Sequence, residues 1–404
     1  MDNSWTRTSL GDICMFRAGT AFPKQFQGEV SGEIPFIKVS DLKHSANSLY
    51  IRHSANWVDM STVEHLKASL LHPGAIVFAK IGEGLKAERF RLVARATCID
   101  NNLMGAIPQG VDAHFLYYLM VHTGVAHLVE GSALPYLRQS DLERIPVCVP
   151  LNDEQQRIAG VLGALDDKIE SNLRTISLSE SLILAHFSQL FNSGHVSVGT
   201  ALSDLMEVNP RYSLKRESHA IKVSMQDIPS DSPVINTHSV MPVGAGSRFS
   251  NGDVLFARIS PCLENGKTAV VDFLSGSEVG FGSTEFIILS PRGEISTTWI
   301  YALTREPNFR EACRQAMSGS SGRQRLSADF FSRYTIDTPK EFDLVAFNKA
   351  TMPLLTLMGE RRDENQRLAQ LRDALLPELM SGRMRVNEAG CLVSEALNEE
   401  VADV

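Results

Sequence analysis

Two short segments concentrate side chains that can grip a flat, hydrogen-bonding partner. The first is Gly131-Ser132-Ala133-Leu134-Pro135-Tyr136-Leu137-Arg138-Gln139-Ser140, and the second is Ser318-Gly319-Ser320-Ser321-Gly322-Arg323-Gln324-Arg325-Leu326. Arg offers paired donors that match the edge of guanine, and Gln pairs a donor with an acceptor as adenine requires. Gly/Ser-rich loops held on a rigid scaffold are where binding residues gather. The competing reading of either segment is an ordinary solvated turn. Cations stand nearby: Lys80 and Arg258 each directly follow a predicted strand, Lys86, Arg89 and Arg91 form a local run, and Lys267 sits in a turn. For these the expected contact is phosphate, which positions a protein on nucleic acid without reading sequence. If the partner is nucleic acid, the candidate contact residues are Lys80, Lys86, Arg89, Arg91, Tyr136, Arg138, Gln139, Arg258, Lys267, Arg323, Gln324 and Arg325.

Catalytic words are missing. Asn209-Pro210-Arg211-Tyr212 approaches the Asn/Asp-Pro-Pro-Tyr/Phe of adenine methyltransferases but lacks the second Pro. Gly266-Lys267-Thr268 resembles the end of a P-loop, yet the first glycine would fall at Pro261 and a strand is predicted to follow. No GxGxxG follows a strand, and no HExxH or nucleophile elbow is present. The six cysteines are scattered, without CxxC or zinc-ligand spacing, and read as buried thiols in a reducing compartment. No metal site is expected. The pattern favours recognition over catalysis.

The 404 residues suit two or three domains, and 43% hydrophobic residues suffice for ordinary cores. Residues 1 to 13 lack the apolar core of a secretory signal, and no stretch approaches the 18 apolar residues of a membrane span, so a cytoplasmic protein is the expectation. Net charge is −8, which at first disfavours nucleic acid. The excess acid is confined, however. Residues 1–150 hold 14 basic and 14 acidic residues and residues 194–340 hold 15 of each, whereas 151–193 hold 3 and 6 and 341–404 hold 7 and 12. Each neutral block can present a basic face.

The chain repeats itself at about half its length. Leu10-Gly11-Asp12-Ile13 returns as Leu202-Ser203-Asp204-Leu205, and Ile37-Lys38-Val39-Ser40 as Ile221-Lys222-Val223-Ser224. Pro73-Gly74-Ala75-Ile76-Val77-Phe78-Ala79-Lys80-Ile81 returns as Asn251-Gly252-Asp253-Val254-Leu255-Phe256-Ala257-Arg258-Ile259. Each repeat opens with short β-branched runs punctuated by Gly, Asn and Pro, as strands are. A helical pattern follows, over His114 to Val129 and Thr297 to Met317. A Pro then precedes a long amphipathic helix. The expected fold is α+β, with two β-rich domains in a pseudo-twofold repeat separated by two long antiparallel helices. The divisions are 1–150, 151–194 for the central helix, 195–340, 341–386 for the C-terminal helix, and an acidic tail at 387–404.

The central helix is expected from Asn152 to Ser193. Asn152 can cap it, and Gly194 supplies the stop. Ile158, Leu162, Leu165, Ile169, Asn172, Ile176, Ser179 and Ile183 advance by alternating fours and threes, a coiled-coil seam about 60 Å long at 1.5 Å per residue. The second helix, about Phe342 to Ser381, offers Leu354, Met358, Arg361, Asn365, Leu368, Arg372, Leu375 and Leu379. Pro353 should start or kink its straight part, and Pro377 should disturb its last turn. Each seam carries one Asn, which either fixes pairing or faces solvent.

This layout resembles the specificity (S) subunit of Type I restriction-modification enzymes. The local words are similar too. Ile145-Pro146-Val147-Cys148-Val149-Pro150 followed by Glu154-Gln155-Gln156-Arg157-Ile158-Ala159 looks like the family's entry into its central helix. Asn365-Gln366-Arg367-Leu368 through Leu371-Arg372-Asp373-Ala374-Leu375-Leu376-Pro377-Glu378-Leu379-Met380-Ser381-Gly382 looks like its terminal helix. The resemblance covers residues 1 to about 386. It implies two target recognition domains, each reading half of a split double-stranded DNA sequence, and helices that set the spacer and dock two methyltransferase (M) subunits. Leu162, Leu165, Ile169, Asn172, Ile176, Met358, Asn365, Leu368 and Leu375 are the expected helix-pairing and docking residues, with the acidic back of Asp166, Asp167, Glu170 and Glu180 behind them. Restriction (R) subunits join that core. S-adenosylmethionine would belong to M and ATP with Mg to R, so this chain would bind no cofactor and catalyse nothing. Two alternatives stand beside it: the specificity subunit of a related system whose nuclease is fused to the methyltransferase, and a structural adaptor that binds proteins rather than DNA.

Overall fold

The computed structural model describes residues 5–44, 47–129, 135–191, 194–215, 218–320 and 322–398. The chain divides into two compact units. The first comprises residues 1–171 and 365–404, and the second residues 172–364. Each long helix therefore contributes one part to each unit.

In the first unit five strands lie in the order Cys14–Ala18, Leu103–Pro108, Ile76–Ala79, Arg91–Val93, Tyr50–Ile51. A four-stranded sheet runs Trp57–Val58, Ile34–Ile37, Thr97–Ile99, Leu70–Leu71. The second unit repeats both designs. Its strands run Glu207–Val208, Phe286–Ser290, Val254–Ala257, Thr268–Val270 in one sheet and Ser239–Pro242, His219–Val223, Val279–Gly282, Arg248–Ser250 in the other. A parallel pair recurs at the equivalent place, as Phe36 beside Cys98 and Lys222 beside Phe281. The apolar runs noted in the sequence are strands buried on both faces. Ile76 and Phe78 join the core beneath the body helix, while Val77 and Ala79 join the core between the sheets. Val254 and Phe256, against Leu255, divide in the same way.

The body helices are shorter than the periodicity predicts. Ala113–Thr123 is capped by Asp112, which accepts from the backbone N–H of His114 and Phe115, and it ends at Gly124, whose φ of 64° suits glycine. A separate 3-10 turn covers Ala126–Val129. The predicted Thr297 to Met317 helix is two helices, Thr297–Arg305 and Pro307–Gln315. Pro307 has no N–H to continue the first and suits the opening turn of the second.

The central helix spans Asn152–Leu190 and the C-terminal helix Glu341–Met380. Seven of the eight predicted central seam positions are buried, and Ile169 is partly so. In the second unit the helices run antiparallel: Asn172 meets Glu364 near one end, and the Phe187 and Phe347 rings meet near the other, 6.1 Å apart. In the first unit Leu162, Leu165, Leu368, Leu375 and Leu379 share one core. Pro353 does not start the second helix, which begins twelve residues before it and runs through both prolines. Pro353 is solvent-exposed, so water can serve the carbonyl left without a donor.

Of the residues read as an acidic tail, 387–398 continue the fold, and 399–404 lie outside the described residues. Val386–Asn398 is a helix, and Val386, Ala389 and Val393 are buried in the core of the first unit. Nor are all six cysteines buried. Cys14, Cys98 and Cys313 are, but Cys148 and Cys262 are half-buried and Cys391 is exposed.

Candidate nucleic-acid interface

The two predicted loops meet the two predicted strand ends at one backbone junction, built identically in both units. In the first, the Leu137 N–H donates to the Lys80 carbonyl (2.9 Å) and the Gly82 N–H to that of Pro135 (3.0 Å). In the second, the Leu326 N–H donates to the Arg258 carbonyl (2.8 Å) and the Ser260 N–H to that of Gln324 (3.0 Å). Tyr136 thus stands where Arg325 stands. A third strand end closes each junction. The Lys80 N–H donates to Asn102, and the Arg258 N–H to Glu285, so Asn102 and Glu285 are also equivalent.

The side chains differ, although Lys80 and Arg258 are both cations. Lys80 is 8% exposed, and its Nζ lies 5.8 Å from the centre of the Tyr136 ring, which is 54% exposed. A cation at that distance is held by the ring's negative face. In the second unit Glu285 accepts from Arg258 Nε at 3.2 Å and from Arg325 Nε and Nη2 at 3.0 and 2.8 Å. The Arg325 hydrogen bonds hold the Glu285 carboxyl below its ordinary pKa; burial opposes them and Arg258 reinforces them. Arg325 itself anchors a tight loop, exchanging both backbone hydrogen bonds with Ser318. Arg323 is exposed and Gln324 half-buried. Arg138 and Gln139 are exposed where a short helix, Gln139–Glu143, begins. Gly131 to Leu134, and Ser321, lie outside the described residues.

Other cations have internal employment. The Arg91 guanidinium is half-buried and donates to the carbonyls of Asn47, Phe90 and Leu42, and burial lowers its pKa. Lys267 Nζ donates to the Met225 carbonyl at 2.7 Å. These bonds make Arg91 and Lys267 part of the frame. Lys86 is exposed and pairs with Glu83 at 2.7 Å, a contact worth little in water. Arg89 is half-buried.

The acidic back of the central helix, expected behind the docking residues, is mostly engaged within the chain. Asp166 accepts from the Tyr118 hydroxyl and from Arg372 Nη1, both at 2.6 Å. Glu170 holds Ser48 and Arg52, the latter at 2.9 Å. Glu180 accepts from the Tyr301 hydroxyl at 2.5 Å, with Arg305 Nε at 3.5 Å. Asp167 alone of the four is exposed. The seam residues Leu162, Leu165, Asn172, Ile176, Met358, Leu368 and Leu375 are buried within the chain, and Asn365 and Ile169 are half-buried. Pairing consumes them. One buried polar member of the second unit's seam is Asn172, whose Nδ2 donates to Glu364 at 2.8 Å, and Glu364 also accepts from Arg361 at 2.6 Å. Sequence reasoning missed Glu285, Glu364 and the two anchoring tyrosines, because each acts through a partner distant in the chain.

The near-motifs resolve as structure. Asn209 adopts φ 53°, and its side chain accepts from the Ile288 N–H, so it extends a strand edge. Thr268–Val270, after Lys267, is a strand where a P-loop needs a helix. Among the described residues no group of metal-ligating side chains clusters, and no helix is long and apolar enough to cross a membrane.

Residues 3–177 match the family model of the Type I restriction modification DNA specificity domain. The chain is 22% identical, over 95% of its length and 94% of the other, to the Type I restriction enzyme MjaIX specificity subunit of Methanocaldococcus jannaschii. It is 28% identical to the EcoEI specificity subunit of Escherichia coli over 144 residues, which is 34% of this chain and 24% of that one. In fold it is similar to the crystal structure of a Type I restriction-modification system S subunit from M. genitalium, with a TM-score of 0.54 and 15% identity, covering 94% of this chain and 97% of the other. Residues 3–177 thus carry the match to the Type I restriction modification DNA specificity domain, and over nearly its whole length the chain, with its repeated two-sheet units and paired long helices, is similar to Type I specificity subunits.

Proposed function

We propose that each unit reads one half of a bipartite double-stranded DNA target, and that the long helices set the interval between the halves and dock two methyltransferase subunits. The carrying observation is the repeated junction. Both units bring three chain segments to one point with the same backbone bonds and place different side chains there. A common frame with exchanged contact residues is what reading two different half-sites needs. The chain itself catalyses nothing on this reading. S-adenosylmethionine is bound by M and ATP with Mg by R. Calorimetric titration of the purified chain with S-adenosylmethionine should give no binding, and methyl transfer by the chain alone would overturn this part.

For docking, the face left open is not the seam. Leu178 and Leu182 on the central helix are 60% and 50% exposed, and Phe342, Val345 and Met352 on the C-terminal helix are 81%, 49% and 53% exposed, all in the second unit. Leu182→Asp combined with Phe342→Asp should abolish co-purification with M while leaving the chain folded.

The spacer role is tested by length. The unit boundary crosses the helices after Ser171 and after Glu364. Four residues inserted at both points add about 6 Å and nearly preserve facing at 3.6 residues per turn. Base pairs of B-DNA rise about 3.4 Å, so the preferred spacer should lengthen by roughly one or two pairs with both half-sites unchanged. Methylation of a plasmid library with stepped spacers measures it. An active variant that keeps its original spacer would remove the helices as the ruler.

A further inference from the structure

We infer that Glu285 is a specificity-positioning residue, which fixes Arg325 to read one guanine in the half-site of the second unit. This rests on the junction facing DNA, as proposed above.

The geometry supplies the argument. Arg325 Nε lies 3.0 Å from both Glu285 carboxylate oxygens and Nη2 lies 2.8 Å from one of them. Nη1 donates to the Arg323 carbonyl at 3.3 Å. The carboxylate therefore occupies one edge of the guanidinium, and the loop carbonyl takes one of the two Nη1 hydrogens. One hydrogen remains on each of the two terminal nitrogens that form the tip. That tip is the paired donor that fits O6 and N7 of guanine in the major groove. The Arg325 side chain is 43% exposed, so its tip reaches solvent, whereas that of Glu285 is 20% exposed and lies behind it. Arg258, 33% exposed and directly after its strand, grips the same carboxylate at 3.2 Å. The junction keeps one net positive charge, enough to favour an acceptor-rich base edge. An arginine fixed beforehand loses less freedom on binding than a loose one. The first unit lacks this device. Its equivalent positions hold Asn102, which donates to Asp100 at 3.2 Å, and Tyr136. The inference therefore applies to one half-site only.

The test uses the full chain assembled with its M subunits and a duplex library randomised at every target position. Glu285→Gln keeps size and shape but loses the charge that holds two arginines. It should relax preference at a single G·C pair in one half-site by roughly five- to hundredfold, leaving the other half-site and the salt dependence unchanged. Arg325→Ala should relax the same pair, and the double variant should be no worse than Arg325→Ala, since both act through one contact. A merely structural Glu285 would weaken all positions together. Should the Gln variant fail to assemble, Glu285→Asp, too short to span both arginines, should give the same single-position relaxation. Relaxation by Arg325→Ala with unaltered preferences in Glu285→Gln or Glu285→Asp would overturn the inference and leave the DNA-facing reading intact. Relaxation at an A·T pair would overturn the guanine assignment. No change at any position in Arg325→Ala would remove the junction from the interface and overturn both.

Discussion

In the first unit Tyr118, on the body helix, donates to Asp166 on the central helix; in the second, Tyr301 on the equivalent helix donates to Glu180 on the same central helix. The anchor is one chemical idea used twice, a buried hydroxyl on a buried carboxylate. At the junctions the opposite holds: one unit has Lys80 and Tyr136 where the other has Arg258, Glu285 and Arg325 at the equivalent places. Where a unit grips the helix, its chemistry is kept; where it presents a tip, its chemistry is replaced. The anchors also differ in their cation. Asp166 is paired by Arg372 of the C-terminal helix, so its anchor ties three elements, whereas Glu180 has Arg305 of its own body helix at a longer 3.5 Å.

That difference can be broken experimentally. Arg372→Ala leaves Asp166, 5% exposed, without its cation, and breaking a buried pair typically costs about 3–5 kcal/mol. Hydrogen exchange should show the loss in the first unit and spare the second. A smaller effect separates the hydroxyls. Hydrogen bonds to charged groups are worth about 1.5–3 kcal/mol. Tyr301→Phe should fall near the top of that range and Tyr118→Phe near the bottom, because Arg372 holds Asp166 more closely than Arg305 holds Glu180. Urea unfolding of the two variants measures it, and equal costs would erase the distinction.

Acidity sharpens the comparison further. Burial raises the Glu180 pKa above its ordinary 4.5, with the Tyr301 bond and Arg305 opposing and Asp231 adding to it. Between that ordinary value and the raised one, the folded chain keeps a proton that the unfolded chain has released. Stability should therefore fall as pH rises through this window. Glu180→Gln should reduce the slope without abolishing it, since burial also raises Asp272 beside Arg362. Unfolding free energies at steps from pH 4.5 upward test the sign. The smallest effect is expected at Leu178→Ser and Leu182→Ser, whose side chains are exposed, within about 0.5 kcal/mol.

Much of the frame was readable because it is periodic. The seam from Ile158 to Ile183 follows from spacing alone, as does the strand Ile76–Ala79 with its echo Val254–Ala257. The break at Pro307 and the stop at Gly124 were also visible, had local chemistry been weighed above periodicity. The helix Val386–Asn398 was hidden by composition. Glu388 and Glu395 suggested a solvated tail, although Val386, Ala389, Val393 and Leu397 already marked an apolar face. The loops and their cations could be named from residue type. Their partners could not. Glu285 lies 40 residues from Arg325, and Lys80 sits under Tyr136 only because the fold brings two strand ends together. Arg91 and Lys267 show the same limit from the other side. As residue types they suit phosphate, and the fold uses them on carbonyls.

The division of the chain has a consequence for its birth on the ribosome. The second unit is one uninterrupted stretch, 172–364, while the first needs residues before 171 and after 365. Leu162 and Leu165 are made early, yet Leu368, Leu375 and Val393, which cover the same core, are made some two hundred residues later. At about 5–20 residues per second that wait is on the order of ten to forty seconds. Throughout it the older unit holds an uncovered apolar stripe while the second unit is still being made. The nascent chain is thus most exposed to aggregation and to chaperone capture along its first-made helix, and slow translation beyond Glu364 would prolong that exposure.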